Sequence, residues 1–196
     1  MCSSDLLPVG FGKTLVALLV GVALRRLGAI SGPVLWVGTK STLVSLRSDI
    51  AKFVPELTVV DYTGARRTPA FEDADLVMTS YDIARRDTKL DPDLAPSGPL
   101  VEHAWGLLVA DEVSVAVNDA TTGHRVLRAL RDRAARSLLL NATMLENTAL
   151  DLWSHLELVA PDAYKMQWFG SLDAILLTDC PERERAQAIV RRDVFA

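Results

Sequence analysis

The chain has 196 residues, of which 49% carry hydrophobic side chains, so it can bury one good core and is expected to form one domain. Its net charge of -4 argues against a surface that is basic all over, and any nucleic-acid contact would rely on a local patch. The two cysteines, Cys2 and Cys180, are too few and too far apart for a disulfide framework or a zinc site. A reducing, cytoplasmic location is therefore expected.

The first motif is a glycine-containing turn near the start of the chain. It consists of Gly10, Phe11, Gly12, Lys13 and Thr14. Such a turn, when it opens a helix, presents backbone N–H groups to phosphate oxygens, while its lysine reaches the terminal phosphates and its threonine ligates magnesium. The strict Gly-x-x-x-x-Gly-Lys pattern is not met, because Leu7 stands where the first glycine would be. A plain loop before a core helix is the alternative, and phosphate binding is favoured.

Apolar stretches and helix-like stretches alternate along the rest of the chain. The apolar run 15–24 is typical of a helix buried against a parallel sheet and is too short to cross a membrane, so neither export nor insertion is expected. Buried strands are predicted at 34–37, 57–60, 76–78, 107–110 and 138–140. Helices are predicted at 14–27, 42–53, 83–90, 121–134 and 149–158, and a proline-rich loop at 91–99. This order predicts an α/β fold, a mainly parallel sheet with helices on both faces.

The second motif, Asp111-Glu112, directly follows the predicted strand 107–110. Ligands of parallel sheets collect at the carboxyl ends of the strands, where this pair and the glycine-containing turn are both expected. The aspartate would complete the magnesium site, and the glutamate could polarise an attacking water. The two motifs together predict a nucleotide triphosphatase that uses Mg²⁺, with Lys13, Asp111 and Glu112 as its catalytic residues.

Five segments in order resemble the first RecA-like lobe of the superfamily-two helicase-like ATPases, most closely the Swi/Snf-related DNA translocases. The glycine-containing turn looks like motif I, and the segment from Trp105 to Glu112 is similar to motif II. The remaining three are 34–41, similar to motif Ia, 74–82, similar to the family's "ADLVITSYD" segment, and 140–147, in the place of motif III. The resemblance implies a RecA-like P-loop lobe at residues 8–170.

The resemblance also implies contacts with the phosphate backbone of double-stranded DNA. The residues concerned are Thr39, Lys40, Ser41, Thr79, Ser80 and Tyr81. For Thr79 and Ser80, an ordinary helix cap at a strand end is the alternative. Coupling of hydrolysis to DNA movement would fall on Ser114, Asn141 and Thr143. Ser114 and Asn141 depart from the family pattern, which has histidine or glutamine and threonine at these positions.

The function implied is the ATP-binding lobe of a DNA-dependent ATPase and translocase, which hydrolyses ATP when joined to its second lobe. One alternative is the motor lobe of a strand-separating helicase or of a restriction system; another is a degenerate lobe that binds nucleotide or a partner without turnover. We interpret residues 1–7 as a truncated or artefactual start and 171–196 as an extension towards a missing second lobe. The chain alone is expected to hydrolyse ATP poorly, because the second lobe supplies the arginine that stabilises the transition state.

Overall fold

The computed structural model describes residues 4–5, 12–91, 93–116, 122–141, 155 and 157–159. The backbone falls into two compact units, Met1–Thr143 and Met144–Ala196. In the second unit the described residues are helical, within the predicted helix 149–158 and one residue beyond it, and Leu158 is buried. Among the described residues, no helix is long and apolar enough to cross a membrane.

The first unit is built on a six-stranded sheet in the order β1-β6-β5-β2-β4-β3, and every neighbouring pair is parallel. The strands are β1 (Ser4–Asp5), β2 (Val34–Gly38), β3 (Val59–Asp61), β4 (Leu76–Ser80), β5 (Leu107–Asp111) and β6 (Ser137–Leu140). The predicted parallel α/β fold is confirmed, and each of the five predicted strands is present within two residues of its expected bounds. The sequence analysis missed β1, a two-residue strand that pairs with Leu139 and Leu140 of β6.

Helices connect the strands. They are α1 (Lys13–Arg26), α2 (Lys40–Phe53), α3 (Tyr81–Asp87), α4 (Pro99–Glu102) and α5 (Thr122–Arg131), with a 3-10 turn at Val113–Val115. The short α4 begins at the end of the stretch predicted as a loop. Proline suits this first helical position, because its fixed φ is helical and its missing N–H would have no partner there.

The core lies around β2, β4 and β5, whose residues are all buried. Strands covered on both faces read as continuous apolar runs, which is why the sequence revealed them. The prediction that α1 is buried holds for one face only: Leu18 and Gly21 pack inward, whereas Leu19 and Val20 are exposed. A Cβ at Gly21 would lie 3.4 Å from Val34 Cγ2, at ordinary contact distance, so α1 lies against the sheet at this position.

Candidate functional site

The carboxyl ends of the three central strands bring most of the predicted site residues to one edge of the sheet. Strand β2 lies between β5 and β4, with Val37 opposite Ala110 and Gly38 opposite Ser80. The residues that follow these strands are therefore neighbours in space although they are far apart in sequence. Gly38 itself was not singled out by sequence: a Cβ there would lie 2.6 Å from Thr42 Oγ1, so only glycine fits without a shift.

Within the glycine-containing turn, Gly12 is the N-cap of α1. Gly12 has φ 72° and ψ 30°, a left-handed conformation that costs glycine little, and α1 begins at Lys13. The first turn of α1 contains no acidic residue of its own, and an anion is favoured at this positive end of the helix dipole. Gly10 and Phe11 lie outside the described residues. The described part of the turn has the geometry that suits an anion.

Thr14 and Asp111 meet across the sheet edge. Thr14 Oγ1 donates a hydrogen bond of 3.4 Å to Asp111 Oδ2, joining residues 97 positions apart. Asp111 is nearly buried, and this burial, together with the charge of Glu112, raises the pKa of its carboxyl to about 6; Thr14 and Lys13 partly oppose the shift. A cation would favour the ionised form that burial disfavours. The pair fits Mg²⁺, which uses one or two protein oxygens together with substrate phosphates and water.

Glu112 has a left-handed backbone, with φ 54° and ψ 51°. It is the one non-glycine residue with positive φ among those described. Such a conformation is uncommon for residues other than glycine and is found disproportionately at functional sites. Its exposed side chain turns towards the end of β2, where Glu112 Oε2 accepts a hydrogen bond of 3.0 Å from Thr39 Oγ1.

The backbone of the acidic pair is held by Tyr81, the first residue of α3. The hydroxyl of Tyr81 donates a buried hydrogen bond of 2.9 Å to the carbonyl oxygen of Asp111. Burial, reinforced by the nearby charges of Asp111 and Glu112, raises the pKa of Tyr81 well above its ordinary value. The phenol therefore stays protonated and remains a donor over the physiological range.

The two groups of predicted DNA-contact residues differ in accessibility. Thr39 caps α2 and is half-buried, and Lys40 and Ser41 are exposed on the first turn of that helix. In the second group Thr79 and Tyr81 are buried. Ser80 Oγ caps α3 by accepting a hydrogen bond of 3.3 Å from the N–H of Ile83, which agrees with the helix-cap alternative for Ser80. The DNA role of both groups stays a prediction, and for Thr79 and Tyr81 it would involve the backbone rather than the buried side chains.

Two of the three predicted coupling residues lie beside the acidic pair. Ser114 is half-buried in the 3-10 turn after Glu112. Asn141 is buried and follows Leu140, the register partner of Asp111 in β6. Thr143 lies outside the described residues.

An open groove of about 450 Å³ lies next to the start of α2. Its wall carries the cations Lys40, Arg47 and Arg86, one anion, Asp82, and also Ser80 and the loop 63–65. Arg47 is held by Asp61, with 3.0 Å between Nε and Oδ2. The sequence alone does not reveal that α2 and α3 bring these cations to one groove.

The loop on one side of this groove is fixed by a compact ion pair. Arg67 binds the Asp87 carboxylate through two nitrogens, one of them Nε at 2.6 Å, and both side chains are largely shielded from solvent. Tyr62 donates to the same carboxylate at 2.8 Å, and the bonds from Arg67 are the main reason that the pKa of Asp87 is lowered. Arg67 also donates to the carbonyl of Gly64 at 2.6 Å. The groove wall is therefore anchored to the end of α3.

The fold and the site together place the protein among the RecA-like ATPase cores: in a parallel sheet of this order, Asp111 at the end of β5 faces Thr14 at the start of α1. The chain belongs to the SNF2-related domain family, whose model matches residues 8–188. It is similar to the "ISWI chromatin-remodeling complex ATPase ISW1" of Saccharomyces cerevisiae, with 28% identity over 176 residues. It is also similar to the human "Chromatin-remodeling ATPase INO80", with 27% identity over 183 residues.

The chain corresponds to a small part of each of these relatives. The ISW1 match covers 83% of this chain and 15% of ISW1, and the INO80 match covers 83% of this chain and 11% of INO80. Among solved structures, the Sulfolobus solfataricus SWI2/SNF2 ATPase core in complex with dsDNA matches with a TM-score of 0.80 and 25% identity. That match covers 98% of this chain and 38% of the Sulfolobus chain. The resemblance to the Swi/Snf-related proteins is thereby confirmed.

Proposed function

We propose that this chain is the ATP-binding lobe of a DNA-dependent ATPase and translocase, which hydrolyses ATP to ADP and phosphate when joined to its second lobe. The observation that supports this most directly is the meeting of Thr14 and Asp111 at the start of α1, with Glu112 next to Asp111 in the chain. A phosphate-binding turn, two oxygen ligands for a divalent cation and a glutamate within one site are the parts that phosphoryl transfer needs.

The mechanism assigns a separate task to each residue. The N–H groups at the start of α1 hold phosphate oxygens, and Lys13 neutralises charge on the terminal phosphates. Thr14 and Asp111 would hold Mg²⁺, which when bound neutralises charge on the phosphates during transfer. The carboxylate of Glu112 orients the attacking water and accepts its proton. An arginine from the second lobe would stabilise the charge of the transition state.

The proposed partner is double-stranded DNA, bound through its phosphate backbone. The Sulfolobus relative is described in complex with dsDNA. In this chain the groove that carries Lys40, Arg47 and Arg86 adjoins the same sheet edge as the acidic pair. Cations in a groove, without aromatic side chains aimed outward, favour sequence-independent and salt-sensitive binding.

Replacing Lys13 with alanine is expected to weaken Mg-ATP binding by about ten- to a hundredfold, because a charge-assisted contact with phosphate is lost. The dissociation constant can be measured on this chain with a fluorescent ATP analogue. Lys52→Ala is the matched control, since Lys52 is exposed in the last turn of α2. Equal affinity of the Lys13→Ala variant and the wild type would overturn the phosphate-binding assignment.

Replacing Lys40 and Arg86 together with alanine is expected to lower DNA affinity and to reduce the slope of log K against log salt concentration by about two, since each phosphate contact contributes roughly 0.9. Titration of a mixed-sequence duplex at several salt concentrations measures this slope. The double variant Arg26→Ala/Lys52→Ala removes the same charge at exposed positions away from the groove and is expected to keep the wild-type slope. An unchanged slope in the Lys40→Ala/Arg86→Ala variant would mean that DNA does not bind in this groove.

Turnover itself is tested by phosphate release from the full-length protein with and without duplex DNA. DNA-stimulated release is the expected result. The departures at Ser114 and Asn141 support a second candidate, a degenerate lobe that binds nucleotide without hydrolysis. Intact nucleotide binding without any phosphate release would favour this second candidate.

A further inference from the structure

The residue that caps α2 also holds the glutamate of the acidic pair. Thr39 Oγ1 accepts from the N–H of Thr42 at 3.3 Å, the capping bond, and donates to Glu112 Oε2 at 3.0 Å. The hydroxyl oxygens of Ser41 and Thr42 also lie near Thr39 Oγ1, at 2.9 and 3.3 Å. The start of the candidate DNA-binding helix and the candidate catalytic glutamate are therefore joined by a direct hydrogen bond.

The Thr39 hydroxyl carries a single hydrogen, so it can donate to one acceptor at a time. A bond from a hydroxyl to a carboxylate is stronger than a bond to another hydroxyl, and Glu112 is therefore the preferred acceptor among these groups. A phosphate oxygen of DNA is also an anionic acceptor, and it would compete with Glu112 for the same hydrogen. The accessible position of Thr39, beside exposed Lys40 and Ser41, makes this competition possible.

The backbone of the acidic pair is fixed, so the Glu112 side chain is the part that can move. Tyr81 holds the Asp111 carbonyl from within the fold at 2.9 Å, and β5 is paired on both sides. The Glu112 side chain is exposed. Loss of the bond from Thr39 would leave that carboxylate free to turn towards a water at the phosphates without any movement of β5.

We propose that Thr39 is a positioning residue that holds Glu112 away from the attacking water until a DNA phosphate takes the Thr39 hydrogen bond. This inference rests on the proposed function, since it explains how DNA contact would stimulate hydrolysis at the same site. It assigns to one hydroxyl the link between DNA binding and the chemical step.

The test compares phosphate release by the full-length protein with and without duplex DNA for four forms: wild type, Thr39→Val, Thr39→Ser and Thr42→Val. Valine keeps the shape of threonine but removes the hydroxyl. We expect Thr39→Val to raise the DNA-independent rate at least threefold and to reduce the ratio of stimulated to basal rates by the same factor or more. The dissociation constant for Mg-ATP should stay within twofold of wild type.

The two other variants separate this role from a structural one. Thr39→Ser keeps the hydroxyl and should restore wild-type rates. Thr42→Val removes a hydroxyl from the same helical turn, where Thr42 Oγ1 donates to the Thr39 carbonyl at 3.1 Å, but leaves the Thr39–Glu112 bond in place, and it should keep the wild-type basal rate. If capping alone matters, Thr39→Val and Thr42→Val will change together.

Two other outcomes of the phosphate-release test would contradict the inference. A basal rate that is unchanged or lowered in Thr39→Val, in a protein whose wild type is stimulated by DNA, would overturn this inference and leave the proposed function standing. Absence of turnover in the wild type under all conditions would overturn the proposed function, and the inference with it.

Discussion

Replacing Glu112 with glutamine is expected to lower the rate of ATP hydrolysis by about 10²- to 10⁴-fold, the usual contribution of a positioned general base. The amide has nearly the same shape as the carboxylate, and its oxygen can still accept the hydrogen bond from Thr39. The left-handed backbone at φ 54° faces the same strain with either side chain. What glutamine cannot do is take a proton from the attacking water.

Nucleotide binding should be nearly unaffected by this change, because Glu112 is assigned to the water and not to the phosphates. Two measurements check the prediction: single-turnover phosphate release from the full-length protein with saturating duplex DNA, and equilibrium titration with Mg-ATP. Glu72→Gln makes the same change at an exposed position before β4 and should alter neither quantity. A parallel loss of affinity in Glu112→Gln would mean that the residue holds the nucleotide or its cation instead.

The strands β2, β4 and β5 were predictable because each is short, mostly apolar and buried along its whole length, so the local sequence carries the signal. The positions of Gly12 and Asp111 were equally predictable, since the residue types indicate a turn before a helix and a strand end. The same local reasoning could not detect β1, because two residues such as Ser4 and Asp5 carry no periodicity.

The contacts that give the site its detail depend on strand order, which local patterns do not encode. Thr39 and Glu112 are 73 residues apart and meet only because β2 lies directly beside β5. Tyr81 is 30 residues from Asp111 and reaches its carbonyl from beside β4, on the other side of β2. The burial of Thr79 was hidden for a related reason: a strand covered on both faces lacks the alternation that would mark one side chain as exposed.

The electrostatic cost of the acidic pair leads to a second large effect, on stability. The pKa of Asp111 is raised from 3.8 to about 6 by burial and by Glu112, so the folded protein binds this proton more tightly than the unfolded chain does. The tighter proton binding stabilises the folded state fully below about pH 4, and this stabilisation is lost as the pH rises through about 6. Because one pKa unit corresponds to about 1.4 kcal/mol, holding the carboxylate ionised at pH 7 costs on the order of 3 kcal/mol.

Replacing Asp111 with asparagine should therefore stabilise the nucleotide-free protein at pH 7.5 by roughly 1–3 kcal/mol, because a neutral side chain of the same shape avoids that cost and can still accept from Thr14. The gain should be small near pH 4.5, where the wild-type carboxyl is largely protonated. Urea unfolding of this chain at the two pH values, without Mg²⁺ or nucleotide, measures the difference. Asp73→Asn, at an exposed position, should show no such gain at either pH.

The same substitution should reduce the stabilisation that Mg-ATP gives, because an amide is a weaker ligand than a carboxylate for a hard divalent cation. Saturating Mg-ATP should therefore stabilise the wild type more than the Asp111→Asn variant, since ligand stabilisation grows with affinity. A variant less stable than the wild type at pH 7.5 without ligand would show that the ionised carboxylate supports the fold. A stable variant that gains as much from Mg-ATP as the wild type would remove Asp111 from the cation site.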